Sequence, residues 1–217
     1  MKVALIGATG FVGSHLLTEL LNRGHDVTAI VRSPEKITTQ NALLKVVKGD
    51  VFDQENLSGL LAGNDVVLSA YNPGWTNPDI YNEFLKGSVA IESATKTSGV
   101  KRYFVVGGAG SLEVAPGVQL IDTPGFPDEI KPGANAAREY YNILKNDIEL
   151  DWTVISPAIE MHQGTAGIRK GVYRLGENSP VFDENGRSVI SVEDMSLVIV
   201  DELEKPKFIK KRFTTAY

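Results

Sequence analysis

No cysteine occurs anywhere in the 217 residues, which excludes disulfides, thiolate nucleophiles and Cys-ligated zinc or iron–sulfur centres. Histidine is scarce too, three in all, and no spacing with carboxylates suggests a metal site. Basic residues are outnumbered, 22 Lys and Arg against 27 Asp and Glu, for a formal net charge of −5. Nucleic acid is therefore not an expected partner, because phosphate binding needs a basic face. Long apolar runs are missing. Val3-Ala4-Leu5-Ile6 stops at Gly7, short of the about 7–15 apolar residues of an export signal. No later stretch approaches the about 20 residues of a membrane span. The expectation is a cytoplasmic protein, off the membrane, that begins with a buried strand. A nucleophile elbow and a Walker loop are absent as well.

What is present is a globular composition, 42% hydrophobic and 23% charged, enough to exclude disorder for most of the chain. Short β-branched runs alternate with longer amphipathic stretches. Strands are predicted at Lys2–Ile6, Asp26–Val31, Leu44–Lys48, Asp65–Ser69, Arg102–Val106 and Trp152–Ser156. Several are apolar almost throughout, which marks strands covered on both faces, as in a parallel sheet. Helices are predicted near Phe11–Arg23, Gln54–Leu61, Ile80–Ser98 and Ala134–Asn146. This alternation implies right-handed βαβ crossovers and an α/β, Rossmann-like doubly wound parallel sheet with helices on both faces. After Pro157 glycines punctuate a predicted strand or hairpin at Ile168–Leu175. A short strand at Ser188–Ile190, a helix near Val192–Glu204 and a strand at Arg212–Ala216 follow. We read one domain over 1–217, a dinucleotide-binding core at 1–158 and a small C-terminal lobe at 159–217.

Gly7-Ala8-Thr9-Gly10-Phe11-Val12-Gly13 follows the first strand and opens the first helix. Glycines at the first, fourth and seventh places permit a tight turn, close backbone approach to a pyrophosphate and close packing of helix on strand. The helix amides then point at the phosphates. The candidate cofactor contacts here are Gly7, Thr9, Gly10, Phe11 and Val12.

The spacing Gly-x-x-Gly-x-x-Gly resembles the short-chain dehydrogenase/reductase superfamily, and GATGFVGSHL at Gly7–Leu16 resembles its extended and atypical branches. Gly49-Asp50-Val51 is similar to the family's adenine-side turn, LDWTVISPA at Leu150–Ala158 to its sixth strand and following Pro, and Ser191-Val192-Glu193-Asp194 to the opening of a late helix. The phrase VVGGAGSLEVAPG and the short length resemble the atypical NAD(P)H-binding group. That group takes in NmrA-like, biliverdin/flavin reductase B-like and many epimerase/dehydratase-labelled proteins. The resemblance implies cofactor contacts at Asp50, Val51, Ser69, Ala70, Tyr71, Gly107 and Pro157.

An NAD-selective site carries Asp or Glu at the end of the second strand for the ribose 2′-hydroxyl. This chain has Val31-Arg32-Ser33-Pro34 there, with Lys36 close by. Arg32 suits a 2′-phosphate, so NADP(H) is preferred over NAD(H); a plain solvated loop cation is the alternative.

Reductases of the superfamily use a Tyr-x-x-x-Lys pair, and Tyr141 and Lys145 match it. We read the match as a decoy. The helix after the fifth strand runs away from the ligand edge, and at 1.5 Å per residue the pair lies roughly 10–15 Å below the helix start. With Glu139 aligned to the family's Glu after the catalytic Lys, the resemblance puts Lys131 and Asn135 at the pair's positions. Ser111 and Tyr71, after the fifth and fourth strands, are then the candidate catalytic residues, either orienting an acceptor or merely stabilising a turn and closing a hydrophobic lid. His162 is the one histidine in reach of a substrate pocket. The Pro-rich segment Leu112–Lys131 is expected to rise over the cofactor.

The leading expectation is an NADP(H)-dependent oxidoreductase passing hydride to a small planar or carbonyl acceptor. The alternatives are a non-catalytic NADP(H)-binding redox sensor and an epimerase or dehydratase of a sugar derivative, which needs an acid/base pair. The expected partners are a small-molecule substrate and, as an open option, a second copy of the chain in a homodimer.

Overall fold

Strands that are apolar almost end to end line up side by side in the computed structural model, which describes all 217 residues. In chain order the elements are β1 (Lys2–Ile6), α1 (Phe11–Asn22), β2 (Asp26–Val31), β3 (Leu44–Lys48), α2 (Gln54–Leu61), β4 (Val66–Ser69), α3 (Ile80–Ser98), β5 (Arg102–Val106), β6 (Glu113–Ala115), β7 (Val118–Gln119), α4 (Lys131–Leu144), β8 (Asp151–Ser156), β9 (Arg174–Gly176), α5 (Val192–Glu204) and β10 (Lys211–Ala216). Eight strands form one sheet in the order β3-β2-β1-β4-β5-β8-β10-β9. Every pairing in it is parallel except β9 on β10. The order reverses between β1 and β4, so the ligand crevice of a doubly wound sheet falls at their C-terminal ends.

Alternation along the strands divides the core in two. Val3 and Leu5 of β1 pack with Leu16 and Leu20 of α1 and with Val198 and Ile199 of α5. Ala4 and Ile6 face the other way, toward Leu57 of α2, Ile91 of α3 and Tyr140 of α4. Burial of each such aliphatic side chain contributes about 1.5–3 kcal/mol, and both faces of the sheet gain from it.

Three expectations about local structure are corrected. The α4 helix begins at Lys131, three residues before Ala134, because Pro132 in a first turn has no intrahelical partner to lose and arrives with helical φ. The predicted Ile168–Leu175 strand shrinks to β9; Lys170 and Gly171 instead give their amides to the Asp194 carboxylate. Ser188–Ile190 forms a single bridge, Val189 to Glu160. The Pro-rich segment after β5 is ordered by short 3-10 turns and the β6–β7 hairpin. The chain's last third returns through α5 to β10, which lies parallel beside β8.

Candidate cofactor and acceptor site

The glycine loop is built so tightly that Gly7 and Gly13 leave no room for a side chain. Gly7 has φ +85°, and a Cβ there would sit 2.4 Å from the Ala70 carbonyl oxygen. A Cβ on Gly13 would sit 2.0 Å from the Gly7 oxygen, and one on Gly10 3.3 Å from the same atom. The Gly10 amide donates to Gly7 O at 2.9 Å, closing the turn. Gly10 caps α1 without any side-chain hydrogen bond. The first-turn amides at Phe11 and Val12, which have no intrahelical acceptor, are thus left for an anion at the positive end of the helix dipole. These residues fit a pyrophosphate.

Beside the loop, Thr9, Arg32, Ser33 and Lys36 line a cleft of about 360 Å³. Two cations and two hydroxyls face it, with no carboxylate in the lining. On the other side of the turn Asp50 uses Oδ1 to accept the Phe52 amide at 3.0 Å, and Val51 is half-buried against the α2 side of the core.

At the end of β4, Ser69 is buried and its Oγ accepts the Tyr71 amide at 3.4 Å, while the Ala70 amide donates to Ile6 O at 3.0 Å. Tyr71 turns its ring onto α3, over Gly87 and beside Phe84, and its hydroxyl donates to the Glu83 carbonyl at 3.2 Å. Burial pushes this phenol up to about 12; the Glu83 carboxylate adds to the shift and Arg32 opposes it. Trp75, farther along the same loop, lies against Gly133 and is largely exposed.

After β5, the Gly107 amide donates to Ile155 O at 2.8 Å, joining this loop to β8. Pro157 is buried just beyond β8. Ser111 is 4% exposed. Both its oxygens accept from Nη1 of Arg212, the carbonyl at 2.9 Å and Oγ at 3.0 Å.

The Tyr141/Lys145 match falls at the C-terminal end of α4. Tyr141 is in the last turn of α4 and Lys145 is the C-cap. Lys145 Nζ donates to Asn142 Oδ1 at 2.9 Å. Tyr141 is nonetheless linked to the β5 loop: its ring packs edge-on against Trp152, and the Arg212 guanidinium that holds Ser111 lies 4.7 Å from its centroid. Lys131 is exposed at the first position of α4, and Asn135 accepts from Arg138 at 2.6 Å. His162 uses Nδ1 to accept the Gly164 amide and caps its own turn. His15 bonds the Phe11 carbonyl through Nδ1 and approaches Glu193 at 3.5 Å. The carboxylates and histidines form no cluster able to hold a metal ion.

In the sequence Arg212 stands out only as the start of a predicted strand, with no role at the site, and its second partner Asn178 (Nη2 to Oδ1, 2.8 Å) not at all. Arg212 had one signal: a charged residue second in a run, Lys-Arg-Phe-Thr-Thr-Ala, that otherwise reads as a buried strand.

A parallel sheet with a glycine loop at its switch point and an uncapped helix over it defines a Rossmann-type dinucleotide-binding protein. The chain belongs to the NAD(P)H-binding family, whose pattern matches residues 7–206, within the atypical short-chain dehydrogenase/reductase superfamily; a nicotinamide dinucleotide is its cofactor. The Bacillus subtilis protein YwnB is 35% identical over 99% of this chain and 97% of its own length. A Bacteroides thetaiotaomicron structure provisionally called an epimerase is 47% identical with a TM-score of 0.92, covering 100% of this chain and 96% of the other. A Streptococcus pneumoniae structure provisionally called an NADH-flavin reductase is 35% identical with a TM-score of 0.84, covering 100% and 99%. No helix is long and apolar enough to cross a membrane.

Proposed function

We propose that the chain is an NADP(H)-dependent reductase that passes hydride to a small planar or carbonyl acceptor in the cytoplasm. The observation that carries the cofactor choice is the cleft of Thr9, Arg32, Ser33 and Lys36, at the place where an NAD-selective site needs a carboxylate. Arg32 and Lys36 supply charge for a 2′-phosphate, and the two hydroxyls supply short donors. The amides of Phe11 and Val12 hold the diphosphate, and Gly107 and Pro157 lie toward the nicotinamide.

Reduced nicotinamide supplies the hydride when bound. The protein's share is to orient the acceptor and keep its oxygen hydrogen-bonded. An acceptor of the flavin or quinone kind suits a site with Lys131 and Asn135 at the start of α4, because such an acceptor takes its proton from water. The Streptococcus structure's flavin-reductase label supports this chemistry, although that label names NADH. Ser111 orients the acceptor through its hydroxyl. Tyr71, with its hydroxyl engaged on Glu83, acts as a wall of the site.

Fluorescence titration with NADPH and NADH tests the reading. NADPH should bind at least about tenfold tighter, and Arg32→Ala should cost about tenfold or more for NADPH while leaving NADH within about twofold. Equal or tighter binding of NADH overturns the 2′-phosphate assignment. NADPH oxidation with flavin, quinone and carbonyl acceptors then tests the reaction, and binding without turnover favours the sensor alternative.

A further inference from the structure

Arg212 is buried at 6% exposure on the second position of β10. Its guanidinium meets only neutral partners. Nη1 donates to Ser111 O and Oγ, Nη2 to Asn178 Oδ1, and the tyrosine ring of residue 141 lies against it. Nε is buried without a partner. Burial pulls its pKa down, and the nearby Tyr141 and Glu113 act against that. A buried guanidinium with no carboxylate bonded to it is costly, and a methionine would fill similar space at no such cost.

The geometry gives that cost a return. Arginine has no acceptor atom, so in the contact between Arg212 Nη1 and Ser111 Oγ the serine must accept. The serine's own hydrogen is then the free donor, and no acceptor for it occurs among the protein's hydrogen bonds. The same guanidinium joins the two loops that flank this serine. Asn178 takes Nη2 through its side chain while its carbonyl accepts the Glu113 amide at 2.8 Å, so the turn after β5 and the segment after β9 meet on one arginine.

We propose that Arg212 is a positioning residue that fixes Ser111 as the hydrogen-bond donor to the acceptor's oxygen. This rests on the reductase reading given above. Hydride addition places negative charge on that oxygen, and a preorganised donor backed by a buried cation stabilises it as the charge develops. Arg212 itself touches neither acceptor nor cofactor.

The test compares Arg212→Lys, Arg212→Met, Ser111→Ala and the Ser111→Ala/Arg212→Met double variant, each checked for cooperative unfolding. The readouts are NADPH affinity, kcat and acceptor KM, and hydrogen exchange at the Glu113 and Leu120 amides. Arg212→Met should lower kcat/KM for the acceptor about tenfold or more and leave NADPH affinity within about twofold. Arg212→Lys should recover part of the loss. The double variant should be no worse than the poorer single one, since residues acting as a unit are not additive. Exchange at Glu113 should quicken in Arg212→Met. Unchanged acceptor kinetics in a folded Arg212→Met protein, or losses that simply add, would overturn the proposal. A wild-type protein that binds NADPH but reduces no acceptor sinks the reductase reading and Ser111's role with it. Unchanged exchange at Glu113 and Leu120 in Arg212→Met separately refutes the hold on the loop.

Discussion

The ring of Tyr71 lies on Gly87 so closely that a Cβ there would fall 2.5 Å from Cε1, Cζ and Oη. The glycine in the middle of α3 is thus what lets the loop after β4 lie flat beside the glycine loop, where the Tyr71 amide is 3.2 Å from the Cβ position of Gly7. Gly87→Ala should displace the ring and cost about 1–3 kcal/mol from overpacking, more than the about 1 kcal/mol gained in helix propensity. Gly59→Ala in α2, with nothing within 4 Å of its Cβ, should instead stabilise by up to about 1 kcal/mol. Urea denaturation of the two variants checks the contrast. Equal effects would mean that Tyr71 gives way freely.

A buried polar chain crosses the α3–α4 side of the core. The hydroxyls of Tyr103 and Tyr140 meet at 3.1 Å, Tyr140 donates to Glu92 Oε2 at 3.2 Å, and Lys96 closes the chain onto Glu92 and Asp147. Burial raises both phenols above their ordinary value; Tyr103 is eased by its bond to Tyr140, whereas Tyr140 is raised further by Tyr103 and Glu92. The unfolded chain therefore loses these protons first, near pH 10, while the folded chain keeps them. Stability is complete below about pH 10 and falls as pH rises above it. Tyr140→Phe should cost about 1–3 kcal/mol at pH 8 and flatten the decline between pH 9.5 and 11. An unchanged slope in denaturation midpoints over that range would refute the assignment.

Asp194 anchors the loop over α5. It accepts Tyr217 Oη at 2.6 Å and the amides of Lys170 and Gly171 at 2.8 and 2.9 Å. Burial works against its charge, but these bonds outweigh it and hold its pKa below the ordinary aspartate value. The stabilisation is present above the unfolded value, about 3.9, and is lost as pH falls through the lower folded one. Asp194→Asn should cost about 1–3 kcal/mol at pH 7, open residues 163–173 to protease, and approach wild-type stability at pH 2.5. A gap that persists undiminished in acid would show that the carboxylate charge is not the anchor.

The sheet was legible because its strands carry their own signature. Val3–Ile6 and Val66–Leu68 are apolar on both faces, as strands covered on both sides in a parallel sheet are, and their alternation with amphipathic stretches points to the βαβ arrangement. The glycine loop was legible because three short-range steric demands fix three residue types. Arg212 was not, because its partners Ser111 and Asn178 lie 101 and 34 residues away and no local pattern announces them. The 168–172 segment misled for a related reason: two of its amides, those of Lys170 and Gly171, go to Asp194, a side chain 24 and 23 residues later, instead of to a neighbouring strand. The helix predicted from Ala134 starts at Lys131 instead, because a proline in a first turn gives up no intrahelical hydrogen bond.

Tyr141 separates the two catalytic readings. Its hydroxyl takes part in no hydrogen bond of the protein, while its ring is packed between Trp152 and the Arg212 guanidinium. If the ring matters and the hydroxyl does not, Tyr141→Phe should keep acceptor turnover and NADPH affinity within about twofold, since the cation–π contact survives. Tyr141→Ala should lose about 1–3 kcal/mol of stability through the space it opens and the contact it removes, and acceptor kcat/KM should fall as Arg212 loosens. Steady-state rates alongside urea denaturation resolve the two. Loss of turnover in a stable Tyr141→Phe protein would make the hydroxyl the missing acid/base group, and the epimerase or dehydratase reading would then displace the reductase.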